Sequence, residues 1–213
     1  MHCIFITRCY KATNIQTIKD NLKEVFKGSK YTYEHRLIVD ATRLNNWLEE
    51  FGKYHLDCFL PSTIYHEKRP KDEYNTFGID EFISGAWDSW FIQKKMEKGG
   101  VYVYILDDDN QITPDFLAAL DACEDGDPDA VVFKVYRHPQ WGDISILDHD
   151  AIGKIDWANM LIRLDVMKRL KVYTLGADSQ KSDGLFFEKM KREGCAIKFL
   201  NQICGRYNAL PKP

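Results

Sequence analysis

The chain has no C-x-x-C pair, no internal repeat, no low-complexity tract, and no run near the roughly 20 apolar residues a spanning helix needs. Its six cysteines, Cys3, Cys9, Cys58, Cys123, Cys195 and Cys204, are scattered and do not cluster with the six histidines. That spacing excludes a structural zinc motif and points to reduced thiols in an intracellular setting. An excess of positive charge is also missing, with 29 Lys and Arg against 32 Asp and Glu and a formal net charge of −3. Without a basic face, nucleic acid and anionic membrane surfaces are poor partners, and any anionic ligand needs local neutralisation. The apolar part of MHCIFITRCY is too short for a signal peptide. The expected location is therefore the cytoplasm, with no transmembrane segment. Finally, TRCYKATN (7–14) contains no glycine, so the phosphate-cradling loop of nucleotidyltransferases is not visible after the first apolar run.

What is present fits one sizeable α/β domain. Hydrophobic residues make up 45% and charged residues 29% of 213 positions, the balance of a globular protein with a packed core. CIFIT (3–7) reads as a strand, and NIQTIKDNLKEVF (14–26) places Ile15, Ile18, Leu22, Val25 and Phe26 on one helical face. RLIVD (36–40) and TRLNNWLEEF (42–51) repeat the unit, with Leu44, Trp47, Leu48 and Phe51 at helical spacing behind a Thr42 cap. The unbroken apolar VYVYIL (101–106) suits a central strand covered on both faces of a mostly parallel sheet. A helix is expected over 79–98, with Trp90 and Phe91 on its apolar side and Trp47 and Trp90 in the core. AVVFKVYRH (130–138) and DISIL (143–147) read as two further strands, so the second half turns to mixed topology. The irregular stretch 55–78 has the length of a lid, and its Lys68, Arg69 and Lys71 either fold over a diphosphate or form a solvated charge run. NALPKP reads as a linker or a truncated end, compatible with one module of a longer protein.

The central strand runs into Asp107, Asp108 and Asp109, followed by Thr113 and Pro114 as cap and first position of a helix. In an open parallel sheet, ligands bind beyond the carboxyl ends of the strands. Adjacent carboxylates repel unless a cation joins them, and a hard divalent ion with oxygen ligands would do so. The plain alternative is a turn in which one aspartate faces solvent and one offsets the helix dipole. Thr7 and Arg8 end the first strand and Asp40 the second, which favours a nucleotide site along one sheet edge.

FITR, LIVD, YILDDDNQITPDFLAAL, DWANMLIRLDVMKRL and KSDGLFFEKM, in this order and spacing, resemble the nucleotide-diphospho-sugar transferases of the glycosyltransferase A fold, family 2 type. The likeness spans nearly the whole chain. Size and motifs are similar to the amino-terminal transferase domains of multidomain chlorovirus proteins that build capsid glycans. The resemblance implies a single domain over 1–213, with a nucleotide-binding half (1–110), an acceptor-side half (111–213) and further domains after residue 213. It implies a Rossmann-like, mostly parallel sheet flanked by helices, with a smaller mixed sheet on the acceptor side. It also implies Mn²⁺ or Mg²⁺, a UDP-sugar donor such as UDP-glucose or UDP-rhamnose, and a glycan or glycoprotein acceptor.

Carried over by position, Thr7, Arg8 and Asp40 hold the uracil nucleotide. Asp107 and Asp109 are the ends of the D-x-D motif and serve the metal, Asp109 by direct ligation, while Asp107 or Asp108 lies near the ribose and sugar. Asp183 matches the catalytic base, although its place before Gly184 and an amphipathic run also suits a helix N-cap. Trp157 lies where the fold contacts donor sugar or acceptor. Late in the chain only GRYN (205–208) stands where the family supplies a further metal or diphosphate contact. The competing readings are a non-catalytic sugar-nucleotide module, which would not need Asp183, and a sugar-phosphate nucleotidyltransferase.

Overall fold

The computed structural model describes residues 1–9, 12–40, 63–66, 83, 89–97, 99–137, 155–171, 182–207 and 209–210. Among the described residues eight strands form one sheet: β1 (His2–Cys9), β2 (Thr32–Asp40), β3 (Thr63–His66), β4 (Val101–Ile105), β5 (Gln111–Ile112), β6 (Ala130–Arg137), β7 (Met160–Arg163) and β8 (Ile197–Tyr207). Their order is β3-β2-β1-β4-β7-β6-β8-β5. From β3 to β4 every pairing is parallel. β7 then runs antiparallel to both β4 and β6, β8 runs parallel to β6, and β5 pairs antiparallel with β8. The mixed half expected from the second part of the chain thus continues the parallel sheet.

Among the described residues five α-helices accompany the sheet: α1 (Ala12–Phe26), α2 (Trp90–Met96), α3 (Phe116–Gly126), α4 (Leu164–Leu170) and α5 (Ser182–Arg192). Alternate residues of each strand serve two separate cores, as a pleat of period two requires. Cys3, Phe5, Tyr102, Tyr104, Val131 and Phe133 pack with Ile15, Ile18 and Leu22 of α1 and Phe116, Ala119 and Leu120 of α3. Ile4, Ile6, Val101, Val103, Ile105 and Val132 pack with α4 and α5 on the other face. The continuous apolar run of β4 follows from this, since both of its faces are covered and all five of its residues are buried.

Two local expectations are corrected. Trp90 is 74% exposed and Phe91 points outward, while Ile92 is the buried residue of α2. Ser89 is extended at ψ 122°, so the helix that carries the two aromatic rings begins at Trp90. Thr113 does not cap α3: its hydroxyl donates to the Ile203 carbonyl at 2.7 Å, tying the segment to β8, and the helix begins at Phe116. The helix expected over 42–51, with Trp47, and the strand expected over 143–147 lie outside the described residues, as do Lys68, Arg69 and Lys71.

Candidate functional site

β1 and β4 lie side by side in register, Ile6 opposite Ile105, and the ladder extends one step further through Leu106 N–H to the Ile6 carbonyl at 2.9 Å. The next residues are Thr7 and Arg8 on one strand and Asp107 on the other, so parallel pairing delivers them to the same edge. Arg8 Nε donates to Asp107 Oδ1 at 2.6 Å and Nη2 donates to Oδ2 at 2.5 Å, a bidentate fork in a mostly buried setting. Thr7 is buried, its hydroxyl 2.9 Å from His35 Nε2 on β2. Burial pushes His35 down to about 4, so the ring is neutral near pH 7. Asp40 ends β2 opposite His66 of β3 in backbone register, and its side chain falls outside what is described.

The three aspartates separate in their surroundings. A turn closes through Asn110 N–H to the Asp107 carbonyl at 3.0 Å. Asp108 is 3% exposed and belongs to the frame of that turn. Asp109 is half-buried, and its carbonyl accepts from Leu210 N–H at 2.9 Å, which fastens the segment after β8 across the turn. Gly205 permits the close approach of β8 to β6: a Cβ there would meet Val135 Cγ1 at 2.9 Å and the Tyr104 hydroxyl at 3.3 Å.

Two more carboxyls arrive from the mixed half. A 3₁₀ turn (Trp157–Asn159) leads into β7, and β7 pairs Leu161 with Tyr104 and Arg163 with Tyr102. Because that pairing is antiparallel, residues before β7 are carried to the carboxyl end of β4, and Asp156 joins the aspartate edge. Asp183 sits in the first turn of α5, where its Oδ1 accepts from Gly184 N–H at 2.7 Å. The helix itself starts at Ser182, whose hydroxyl is 3.4 Å from Trp157 Nε1. That contact holds the neighbours Asp156 and Asp183 together.

The edge is acidic, with Arg8 as an internal cation. Burial, then the charge of Asp156, pushes the Asp183 carboxyl up from 3.8 to about 6, against the pull of Gly184 N–H and Arg8. Burial also raises Asp156, with the Asp107 charge adding to it and Ala158 N–H, Arg8 and the Tyr207 hydroxyl opposing. A carboxyl ionising near 6 between buried neighbours is suited to taking a proton at neutral pH.

Among the described residues no group of three His, Cys, Asp or Glu side chains is arranged as a metal cage. Both Asp107 oxygens accept hydrogen bonds from Arg8. A carboxylate edge of this kind is chemically suited to a hard divalent ion that takes few protein ligands and completes its shell with substrate phosphates and water. Trp157 is corrected: it is 3% exposed and its ring lies against Phe186, so it forms the floor of the edge and offers no face to a sugar. Asp156 was not singled out from the sequence, whereas Tyr207 falls within the GRYN stretch named there. The run DWAN carries the signal of a cap, which Asp156 and Asn159 indeed form, but only the β4–β7 register reveals its place at the edge.

This architecture, strand ends with an acidic edge at the junction of a parallel and a mixed half, is an α/β fold of the glycosyltransferase A type. The solved structure of mannosyltransferase PcManGT from Pyrobaculum calidifontis, in complex with GDP-Man and Mn²⁺, aligns at TM-score 0.60 and 18% identity, over 99% of this chain and 57% of that chain. The likeness establishes the fold, and the present chain spans little more than half of that protein's length. A197 from STIV (TM-score 0.45, 13% identity, 94% of this chain and 82% of that one) and the bifunctional IspDF from Campylobacter jejuni (0.47, 9%, 95% and 50%) also align, too loosely to carry an argument. No family model and no curated protein sequence matches the chain.

Proposed function

We propose that the chain is a glycosyltransferase that moves a sugar from a nucleotide-diphosphate donor to a glycan hydroxyl, with inversion at the anomeric carbon. The observation that carries this reading is the Asp183 carboxyl, raised to about 6 beside Asp156 and within electrostatic reach of the Arg8–Asp107 pair at the carboxyl ends of β1 and β4. Thr7, Arg8 and Asp40 receive the nucleotide, with a uridine diphosphate sugar such as UDP-glucose or UDP-rhamnose as donor. Asp107 holds Arg8 in place, and Asp109 holds Mg²⁺ or Mn²⁺. The ion, when bound, supplies positive charge to the departing diphosphate.

Asp183 takes the proton from the acceptor hydroxyl as that oxygen attacks the anomeric carbon. The bond from that carbon to the diphosphate oxygen breaks on the opposite face, and the diphosphate leaves with the electron pair. Asp183 on a helix and Arg8 on a strand are rigidly carried, so the attacking and leaving sides are positioned by the fold rather than by the substrate. The acceptor is a glycan or glycoprotein, as in the building of a viral capsid glycan, and the setting is the cytoplasm. The test is a panel of UDP-sugars and GDP-mannose with Mg²⁺ or Mn²⁺, read by slow donor hydrolysis and by ligand-induced thermal stabilisation. Hydrolysis of at least one sugar nucleotide that is lost in Asp183→Asn supports the reading; no stabilisation by any nucleotide with metal sinks it.

A further inference from the structure

Asn21 stands in the interior of α1, where asparagine is a weaker helix former than alanine, leucine or lysine. Its half-buried side chain is directed at the backbone of one distant residue. Oδ1 accepts from Ile112 N–H at 3.0 Å, and Nδ2 donates to the Ile112 carbonyl at 3.0 Å. An amide that engages both backbone groups of a single residue does what a paired strand does. β5 has need of such a partner, because it consists of Gln111 and Ile112 alone and ends the described sheet, held by Arg206 and Gly205 of β8. Thr113 N–H donates to the Cys204 carbonyl at 3.0 Å on the β8 side. Backbone groups alternate along a strand, so those of Ile112 face the other way, toward α1, and Asn21 stands where the next strand would be. The clamp has a firm base, since Ile18 and Leu22 on either side of Asn21 are buried in the same core as Ile112 and Phe116.

This clamp lies at the exit of the aspartate turn. The turn enters from β4, whose last rung is Leu106 N–H to the Ile6 carbonyl, closes through Asn110 N–H to the Asp107 carbonyl, and leaves directly into β5. Its entry is held in the middle of the sheet, whereas its exit hangs on a two-residue strand at the border. How firmly Asp109 is placed therefore depends on what holds Ile112. Resting on the glycosyl-transfer reading, in which Asp109 holds the divalent ion, we propose that Asn21 is a positioning residue for metal binding. Its clamp on Ile112 fixes the exit of the turn, and with it the Asp109 carboxylate. Groups that orient a metal ligand without touching the metal commonly set its affinity.

The experiment titrates Mn²⁺ in the presence of UDP or GDP, whichever stabilises the wild type, and reads the thermal stabilisation that the metal adds. Asn21→Ala removes both bonds. Asn21→Asp, of nearly equal size, keeps an acceptor for Ile112 N–H but sets a carboxylate oxygen against the Ile112 carbonyl, and it decides the matter if Asn21→Ala does not fold. Ile18→Val trims the core face of the same helix and keeps the amide. Both Asn21 variants are expected to need about 10-fold more Mn²⁺ for half of the increment, with stabilisation by the nucleotide alone unchanged. Ile18→Val should lower the melting temperature and leave the Mn²⁺ midpoint in place. In the wild type the Ile112 amide should be protected from hydrogen exchange, and exchange at the rate of a free peptide overturns the inference without any variant. A wild-type Mn²⁺ midpoint in the Asn21 variants also overturns it, as does an equal shift in Ile18→Val, which marks general loosening of the helix. A wild type stabilised equally with and without metal removes the ion and this inference while nucleotide binding stands. One that neither nucleotide stabilises, with or without metal, overturns the glycosyl-transfer reading as well.

Discussion

Arg8 and Asp107, 99 residues apart, meet as a two-pronged ion pair, Nε to Oδ1 at 2.6 Å and Nη2 to Oδ2 at 2.5 Å. The pair answers the charge problem of three consecutive aspartates in part from within the chain. Arg8 neutralises the first, the second is buried in the turn, and the third is half-buried at the edge.

Removing one partner should therefore cost more than a surface ion pair would. Arg8→Ala leaves Asp107 beside Asp156 and Asp183 without a cation, and the expected loss is about 1–3 kcal/mol, below the ~3–5 of a fully buried pair because both side chains retain some exposure. Arg8→Lys should recover only part of it, since an ammonium cannot match both carboxylate oxygens. Urea unfolding of Arg8→Ala, Asp107→Asn and the double variant measures the coupling. Strict additivity of the two single effects would show that the fork contributes nothing.

Asp183 should govern the pH dependence of turnover. Its carboxyl is raised to about 6, so activity is expected to climb as pH increases through that value and the base ionises. Asp183→Asn is expected to lower kcat by about 100- to 10,000-fold with donor affinity nearly unchanged. In Arg8→Ala the rising limb should move above 6, because Arg8 favours the ionised form. A limb that stays in place in Arg8→Ala would separate Arg8 from the base.

The same group has a stability signature of the opposite sense. A carboxyl whose folded pKa stands above its ordinary 3.8 contributes stability that is fully present below 3.8 and is lost as pH rises through about 6. The raised Asp156 acts in the same direction. Between roughly pH 4 and 6 the melting temperature of Asp183→Asn should therefore gain on that of the wild type. Parallel melting curves across that window would contradict the shift.

Asp109→Asn should abolish the extra thermal stabilisation that Mg²⁺ or Mn²⁺ adds to a uridine nucleotide, while the stabilisation by nucleotide alone persists. Mass action makes the size of the metal increment follow its concentration, so a titration separates weak from absent binding. An undiminished metal increment in Asp109→Asn would move the ion to other ligands.

Gly205→Ala tests the packing behind the aspartate turn. The added Cβ meets Val135 Cγ1 at 2.9 Å and the Tyr104 hydroxyl at 3.3 Å, and Tyr104 is the residue that bonds Ala158. Overpacking of this kind is expected to cost about 1–3 kcal/mol. A melting temperature within a degree of the wild type would mean that β8 has room to shift.

The local order of the fold could be read along the chain. Helical spacing of Ile15, Ile18 and Leu22, the unbroken apolar run of β4 and the aspartates at its end are properties of neighbours in sequence, set by period and turn chemistry. So was the change from parallel to mixed strands. Trp90 shows where such reading stops, because a residue on an apolar stripe is buried only if another element comes to cover it. Asp156 could not be placed by any motif, since the antiparallel pairing of β7 on β4 brings it to the edge. The Arg8 fork, the partners of Asp183 and the inward position of Trp157 depend likewise on contacts between distant segments. Local patterns record which residues prefer a helix, a strand or a turn. Long-range register, chosen by which faces can be buried together, decided which of the carboxyls meet and what charge each one carries.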